Sequence, residues 1–145
     1  MYIYDKFSDT YFNRSHKIER EINLKVGKAF SFFERLKMRG IGSGRLRIKD
    51  SSEEIKALIT KTSDTAYSNI ELRPKGIIVG IKSIHRTFHW VIPYFQLTLY
   101  KNSGHISVYD NKHKMNLIYE PKDQTILDFL KKVMDGKASS RSYPE

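Results

Sequence analysis

The chain has 145 residues, 39% of them hydrophobic, and its 26 Lys and Arg against 16 Asp and Glu give it a formal charge of +10. It has no cysteine, which excludes structural disulfides, thiolate zinc sites and a cysteine nucleophile, and no stretch approaches the roughly 20 apolar residues of a membrane-spanning helix. The length fits one domain with a core of its own, and the positive charge favours anionic partners: nucleic acid, acidic lipid or acidic protein.

Met1 to Asn13 holds Tyr2, Tyr4, Phe7, Tyr11 and Phe12, a density of aromatics that a disordered tail lacks. A strand through Tyr2 to Tyr4, docked on the core, is expected. Asp5, Asp9 and the lack of an apolar run argue against a signal peptide in this stretch. From Ser15 to Arg39 the spacing predicts one long amphipathic helix. Ile18, Ile22, Val26, Ala29, Phe33 and Leu36 recur at steps of three and four. Ser15 can cap the start, and Gly40 can end it in a left-handed conformation. Gly27 inside the run costs on the order of 1 kcal/mol against alanine and permits close approach of another element. Phe30 and Phe32 widen the apolar surface, enough for contact with a second copy of the chain.

Arg35, Lys37, Arg39, Arg45, Arg47 and Lys49 then follow with no acid among them and are the candidate anion-binding residues. Basic side chains near a helix C-terminus also suit the helix dipole, which is the plainer explanation for the first of them. The glycines of Gly40-Ile41-Gly42-Ser43-Gly44 make neither a P-loop nor a dinucleotide fingerprint: they follow a helix, and no Lys-Ser or Lys-Thr pair succeeds them. No cofactor is expected. Leu46 and Ile48 alternate with Arg45, Arg47 and Lys49, which predicts a short edge strand with its charge in water. A second helix is predicted from Ser51 to Thr62, with Ser51 and Glu54 as a capping box and Ile55, Leu58 and Ile59 as its buried stripe. Thr60 to Asn69 reads as a loop.

The sheet proper is predicted from Ile70 to Tyr119. Ile70 and Leu72 lead into the tight turn Arg73-Pro74-Lys75-Gly76. Ile77, Val79 and Ile81, then Phe88, Trp90 and Ile92, then Phe95, Leu97 and Leu99 alternate as strands do, followed by Ile106 and Val108 and by Met115, Leu117 and Tyr119. Gly80 marks a bulge or a close approach, and Pro93 stops one strand. Hairpin loops are expected at Lys101 to Gly104 and at Asp110 to Lys112. Short connections throughout make the sheet an antiparallel meander. Asp123 can cap a last helix, with Ile126, Leu127, Leu130, Val133 and Met134 on its apolar face and Gly136 as its stop. Residues 137–145 are expected to be a disordered tail.

This order resembles bacterial pleckstrin-homology-like (PH-like) domains. Ile70 to Val79 is similar to that family's early hairpin, Val91-Ile92-Pro93-Tyr94-Phe95-Gln96-Leu97 to its strand entry, and Asp123 to Met134 to the helix that plugs one end of its barrel. The resemblance covers about Ile70 to Gly136. It implies a small bent barrel or two orthogonal sheets with a capping helix, and a binding or scaffolding role more often than an enzyme. It carries over no ligand-binding residue.

Catalytic patterns are weak. His85 and His89 share a face, but no Asp or Glu lies between Glu71 and Asp110 to complete a metal site. His105 and His113 flank a hairpin and are expected to be exposed. No nucleophile-elbow motif surrounds any serine. Tyr94, Tyr100, Lys101, Tyr109, Lys112, Lys114 and Tyr119 interleave aromatic and basic character as single-strand-binding platforms do, though tyrosine is also common in strands.

The expectation is an α+β fold: an antiparallel meander forming a bent sheet or small PH-like barrel, capped by a C-terminal helix and preceded by a long N-terminal helix at 15–39. The domain spans 1–136, with its PH-like core at about 45–136. Function is read as a non-catalytic, cytoplasmic interaction module, peripheral to a membrane, that binds an acidic membrane surface or acidic protein through the basic segment. The alternatives are a nucleic-acid-binding protein, or a small enzyme with a pocket between helix and sheet and His85 or His89 as base. A homodimer through Phe30 and Phe32 is a third, structural reading.

Overall fold

The computed structural model describes residues 2–5, 12–59, 66–82 and 87–141. Among the described residues, eight strands form one sheet: β1 (Tyr2–Asp5), β2 (Leu46–Ser51), β3 (Tyr67–Arg73), β4 (Gly76–Lys82), β5 (Thr87–Pro93), β6 (Thr98–Asn102), β7 (His105–Tyr109) and β8 (Lys114–Ile118). Their order is β1-β5-β4-β3-β2-β8-β7-β6, open at both ends, and every pairing is antiparallel. The helices are α1 (Phe12–Val26), α2 (Phe32–Lys37), α3 (Glu53–Ile59) and α4 (Gln124–Arg141).

The expected meander is present as two runs, β2 to β5 and β6 to β8, joined where β2 pairs with β8. This corrects one expectation. β2 is not an edge strand; it is the seam between the runs, and the edges are β1 and β6. The sheet is also strongly bent. Trp90 Nε1 in β5 donates to Asp110 Oδ2 just beyond β7 at 2.8 Å, although β5 and β7 stand five places apart in the order. In a flat sheet five strand spacings would separate them by roughly 24 Å. An antiparallel sheet of two runs folded over one core, with a C-terminal helix packed against it, meets the expectation of a bent sheet capped by a last helix.

The concave face holds the main core. Ile77, Val79 and Ile81 of β4, Trp90 and Ile92 of β5, Ile106 and Val108 of β7, and Met115 and Leu117 of β8 are all fully buried there. α4 adds Ile126, Phe129, Leu130 and Val133. Phe129 takes the place expected of Met134, which is 47% exposed. Asp123 does cap α4, accepting from the Thr125 amide at 3.0 Å. Gly136 does not stop α4, which runs on to Arg141. Its bare Cα instead makes room for Tyr94, whose Cζ would lie 2.9 Å from an added Cβ.

The long N-terminal helix expected at 15–39 is in fact two helices. α1 begins at Phe12, ahead of the expected cap at Ser15, and ends at Val26. Gly27 follows with φ +87°, a left-handed conformation that breaks the run, and it sits where an added Cβ would be 3.2 Å from Pro74. Ile22 and Val26 pack with Ile78 and Val91 on the convex face of β4 and β5, so β4 is apolar on both faces. The Lys75 amide donates to the Val26 carbonyl at 2.8 Å. The Arg73 guanidinium reaches Asn23 Oδ1 at 3.0 Å and the Gly27 carbonyl at 3.1 Å. These bonds fasten the end of α1 to the β3–β4 hairpin. The second half of the expected stripe is not buried: Phe33 and Leu36 are 80% and 61% exposed.

Two smaller corrections follow from pairing. β3 begins at Tyr67, not Ile70, so Tyr67 to Asn69 is strand and not loop. Tyr94 to Gln96 is a turn before β6, leaving Tyr94 buried and Phe95 exposed, the reverse of the expected alternation.

Candidate functional site

The six candidate cations are all exposed, and the structure divides them between two elements. Arg35 and Lys37 lie on α2, and Arg39 follows it. Ser31 and Glu34 form the capping box of α2, bonding reciprocally at 3.0 and 3.2 Å. α2 ends in a Schellman pattern: the Gly40 amide donates to the Arg35 carbonyl at 2.9 Å and the Arg39 amide to the Leu36 carbonyl at 3.2 Å. Arg39 takes the left-handed place at φ 60°, where glycine is usual. Lys132 of α4 donates to the Arg39 and Gly40 carbonyls at 3.3 and 3.2 Å.

Residues 41–43 then run beside β3. The Leu72 amide donates to the Ile41 carbonyl at 2.7 Å. The buried Ser43 hydroxyl accepts from the Ile70 amide at 2.8 Å, a ladder bond supplied by a side chain. Arg47 lies opposite Tyr67, five residues along β3 from Leu72. At about 3.4 Å per residue, Arg47 stands roughly 17 Å along the strand from the contact of Ile41 with Leu72 that follows α2.

Arg45 and Arg47 lie beside Tyr67, whereas Lys49 falls at the irregularity in β2 between Ile48 and Asp50. Arg47 pairs with Tyr67, and Tyr67 pairs with Lys82 of β4. Directly opposed residues share a face, so Arg47, Tyr67 and Lys82 form one outward row across three strands. Arg45 Cζ stands 4.7 Å above the centre of the Tyr67 ring, a cation–π contact. Gly44, Arg45, Tyr67, Ser68, Asn69 and Lys82 line a shallow cleft of about 190 Å³. Arg45 over the ring, Lys82 in the same cleft and Arg47 opposite Tyr67 in the pairing thus put three cations beside one aromatic residue. Lys82 went unrecognised in the sequence, where it is only the first polar residue after an apolar strand; its membership depends on register.

A second cleft, of about 270 Å³, lies between α4 and the β3–β4 hairpin, with Phe30, Leu72, Tyr94, Lys132 and Asp135 in its wall. Burial raises the Tyr94 hydroxyl to a pKa of about 12, and the hydroxyl donates to the Arg73 carbonyl at 3.2 Å. The fold therefore favours the neutral phenol. Stability from this group is complete below pH 10, the ordinary tyrosine value, and is lost as pH rises toward the folded-state value. Urea unfolding is expected to show a falling midpoint above pH 10, and Tyr94→Phe to flatten that fall; parallel curves would show that the phenol does not titrate against the fold.

The histidines differ from expectation. His85 lies outside the described residues, and His89 is half-buried in β5 opposite Gly80. His113 is buried, not exposed: its Nδ1 lies 3.2 Å from Ser52 Oγ and its Nε2 3.4 Å from Glu54 Oε2. Glu54 therefore faces His113, and Ser51 ends β2, so the capping box expected of that pair does not form. Serine, imidazole and carboxylate in sequence suggest a nucleophile and base. Trp90 packs edge-on against the buried imidazole at 6.3 Å. Their arrangement ties the start of α3 to the β7–β8 turn. Among the described residues, no group of three or more His, Asp or Glu could hold a metal ion.

On the convex face of the second run, Tyr100 and Tyr109 meet edge-on at 5.8 Å and Lys114 Nζ lies 5.5 Å from the Tyr109 ring. The interleaved aromatic and basic pattern thus becomes a short cross-strand row.

The fold and its basic row define an α+β protein with a bent antiparallel sheet, a C-terminal helix and an exposed cationic surface. No protein-family model and no curated protein matches the chain. It is similar to a solved structure concerned with the structural role of the PH and C1 domains of the Vav1 exchange factor, at 11% identity and a TM-score of 0.46. That likeness covers 92% of this chain and 34% of the other. Among the described residues, no helix is long and apolar enough to cross a membrane.

Proposed function

We infer that the protein is a non-catalytic interaction module that binds an acidic membrane surface from the cytoplasmic side. The observation that carries this reading is the outward row of Arg45, Arg47 and Lys82 about Tyr67, with Lys49 farther along the same strand. A planar anionic surface suits such a row better than a deep ligand pocket does, because the cleft is shallow and lies on the convex side of a sheet.

Each basic residue near an acidic bilayer contributes about 1 kcal/mol. The Arg45→Gln/Arg47→Gln double variant should therefore bind phosphatidylserine-containing vesicles roughly 30-fold more weakly than the parent in co-sedimentation. Equal binding of the parent to neutral and acidic vesicles would end the reading. A second reading, single-stranded nucleic acid, is favoured by the row of Tyr100, Tyr109 and Lys114. It requires oligonucleotide affinity that falls steeply with salt and weakens when Tyr100 is replaced.

A further inference from the structure

We propose that α2 is a membrane-inserting wedge that buries Phe32, Phe33 and Leu36 in the acyl boundary of an acidic bilayer while its cations stay among the headgroups. The proposal rests on the anionic-surface reading above and deepens it: it assigns to a second element the part of binding that charge cannot supply.

Three observations carry it. First, α2 is a folded helix that buries none of its own side chains. A short surface helix ordinarily earns its place by packing an apolar stripe on the core. Here the stripe points away: Phe32, Phe33 and Leu36 are 61%, 80% and 61% exposed. The core contacts in this region come instead from Phe30 before the helix and Met38 after it. The helix ends are satisfied locally, by the capping box and the Schellman pattern, so its structure does not depend on burying that stripe. Second, the two phenylalanine rings meet edge-on at 5.8 Å and form one projecting apolar cluster.

Third, the charge around that cluster selects the occupant. Lys28, Arg35, Lys37 and Arg39 are exposed, and the only acid between Gly27 and Lys49 is Glu34. Glu34 is engaged in the capping box, and its bonds to Ser31 hold its carboxyl below the usual range, keeping it ionised at the helix start. An apolar tip ringed by cations fits an interface that is apolar inside and anionic at its surface. A second copy of this chain would instead bring the same cations together. Phe30, the other residue expected at a homodimer contact, already packs against the chain's own core.

Phe33→Trp provides the test. The native Trp90 is the only tryptophan and is fully buried, so it adds a constant background. The variant is mixed with phosphatidylcholine–phosphatidylserine vesicles whose acyl chains are brominated, and with brominated phosphatidylcholine vesicles alone. The expected result is a blue-shifted emission quenched by bromine with the acidic vesicles only. In parallel, Phe32→Ser/Phe33→Ser should lower acidic-vesicle partitioning by on the order of tenfold or more, and the loss should persist at high salt. Co-sedimentation with unshifted, unquenched emission would overturn the wedge and leave the anionic-surface reading standing. No co-sedimentation of the parent would overturn both. A blue shift without vesicles, together with a dimer mass by light scattering, would overturn the wedge in favour of pairing between copies.

Discussion

Gly76→Ala should lower stability by about 3 kcal/mol or more, whereas Gly80→Ala, four residues along the same strand, should change it by less than about 1 kcal/mol. An added Cβ at Gly76 would collide with the Ile92 carbonyl oxygen, and would lie 2.6 Å from Val26 Cγ1 and 2.9 Å from Pro93 Cα. Two of those neighbours are backbone, and the third is the last buried residue of α1. Relief would require α1, β4 and β5 to separate just where they are fastened together. At Gly80 the first obstacle is the side-chain oxygen of Asn69, an exposed residue whose amide can swing into water. Thermal unfolding distinguishes the two. In a chain of this size 1 kcal/mol moves the midpoint by about 2–4 °C, so Gly76→Ala should melt roughly 6–12 °C lower. Similar midpoints for both variants would contradict the approach of Val26 to the start of β4.

Asp110→Ala is expected to cost about 3 kcal/mol. Asp110 Oδ1 accepts from the Lys112 and His113 amides at 2.8 and 2.6 Å, and Oδ2 accepts from Trp90 Nε1 at 2.8 Å. Alanine would leave the indole N–H of a fully buried tryptophan without its acceptor and would release the turn that positions His113. The Trp90 bond also spans the mouth of the bent sheet, joining strands five places apart. Trp90→Phe removes the donor, so the double variant should be less destabilised than the two single losses added together, with a coupling of about 1–2 kcal/mol. Urea unfolding of the four proteins measures it. Strict additivity would mean that the bend is held without this bond.

Much of the fold was legible because its signals are local. The turn at Pro74 and Lys75, the period-two runs of β4, β5, β7 and β8, and the cap at Asp123 depend on near neighbours in sequence. The errors share the opposite cause. The helix expected at 15–39 has an uninterrupted apolar spacing, and only the contact of Gly27 with Pro74 shows why the backbone turns there. Gly136 reads as a stop because the residue requiring its missing side chain, Tyr94, is 42 positions away in the chain. His113 reads as a hairpin surface residue because Ser52, Glu54 and Trp90 reach it only through the fold.

The site divides in the same way. The richness of Arg35 to Lys49 in cations and the apolar character of Phe32, Phe33 and Leu36 are properties of composition and are fixed by the chain itself. Strand pairing decides that Arg47 and Lys82 flank Tyr67, because register alone selects which residues of separate strands stand side by side. Packing decides that α2 faces outward: Phe30 and Met38 on either side of it pack on the core, while Phe32, Phe33 and Leu36 stay exposed. Sequence periodicity can mark an apolar stripe, but whether the stripe is buried depends on what the rest of the chain brings to it.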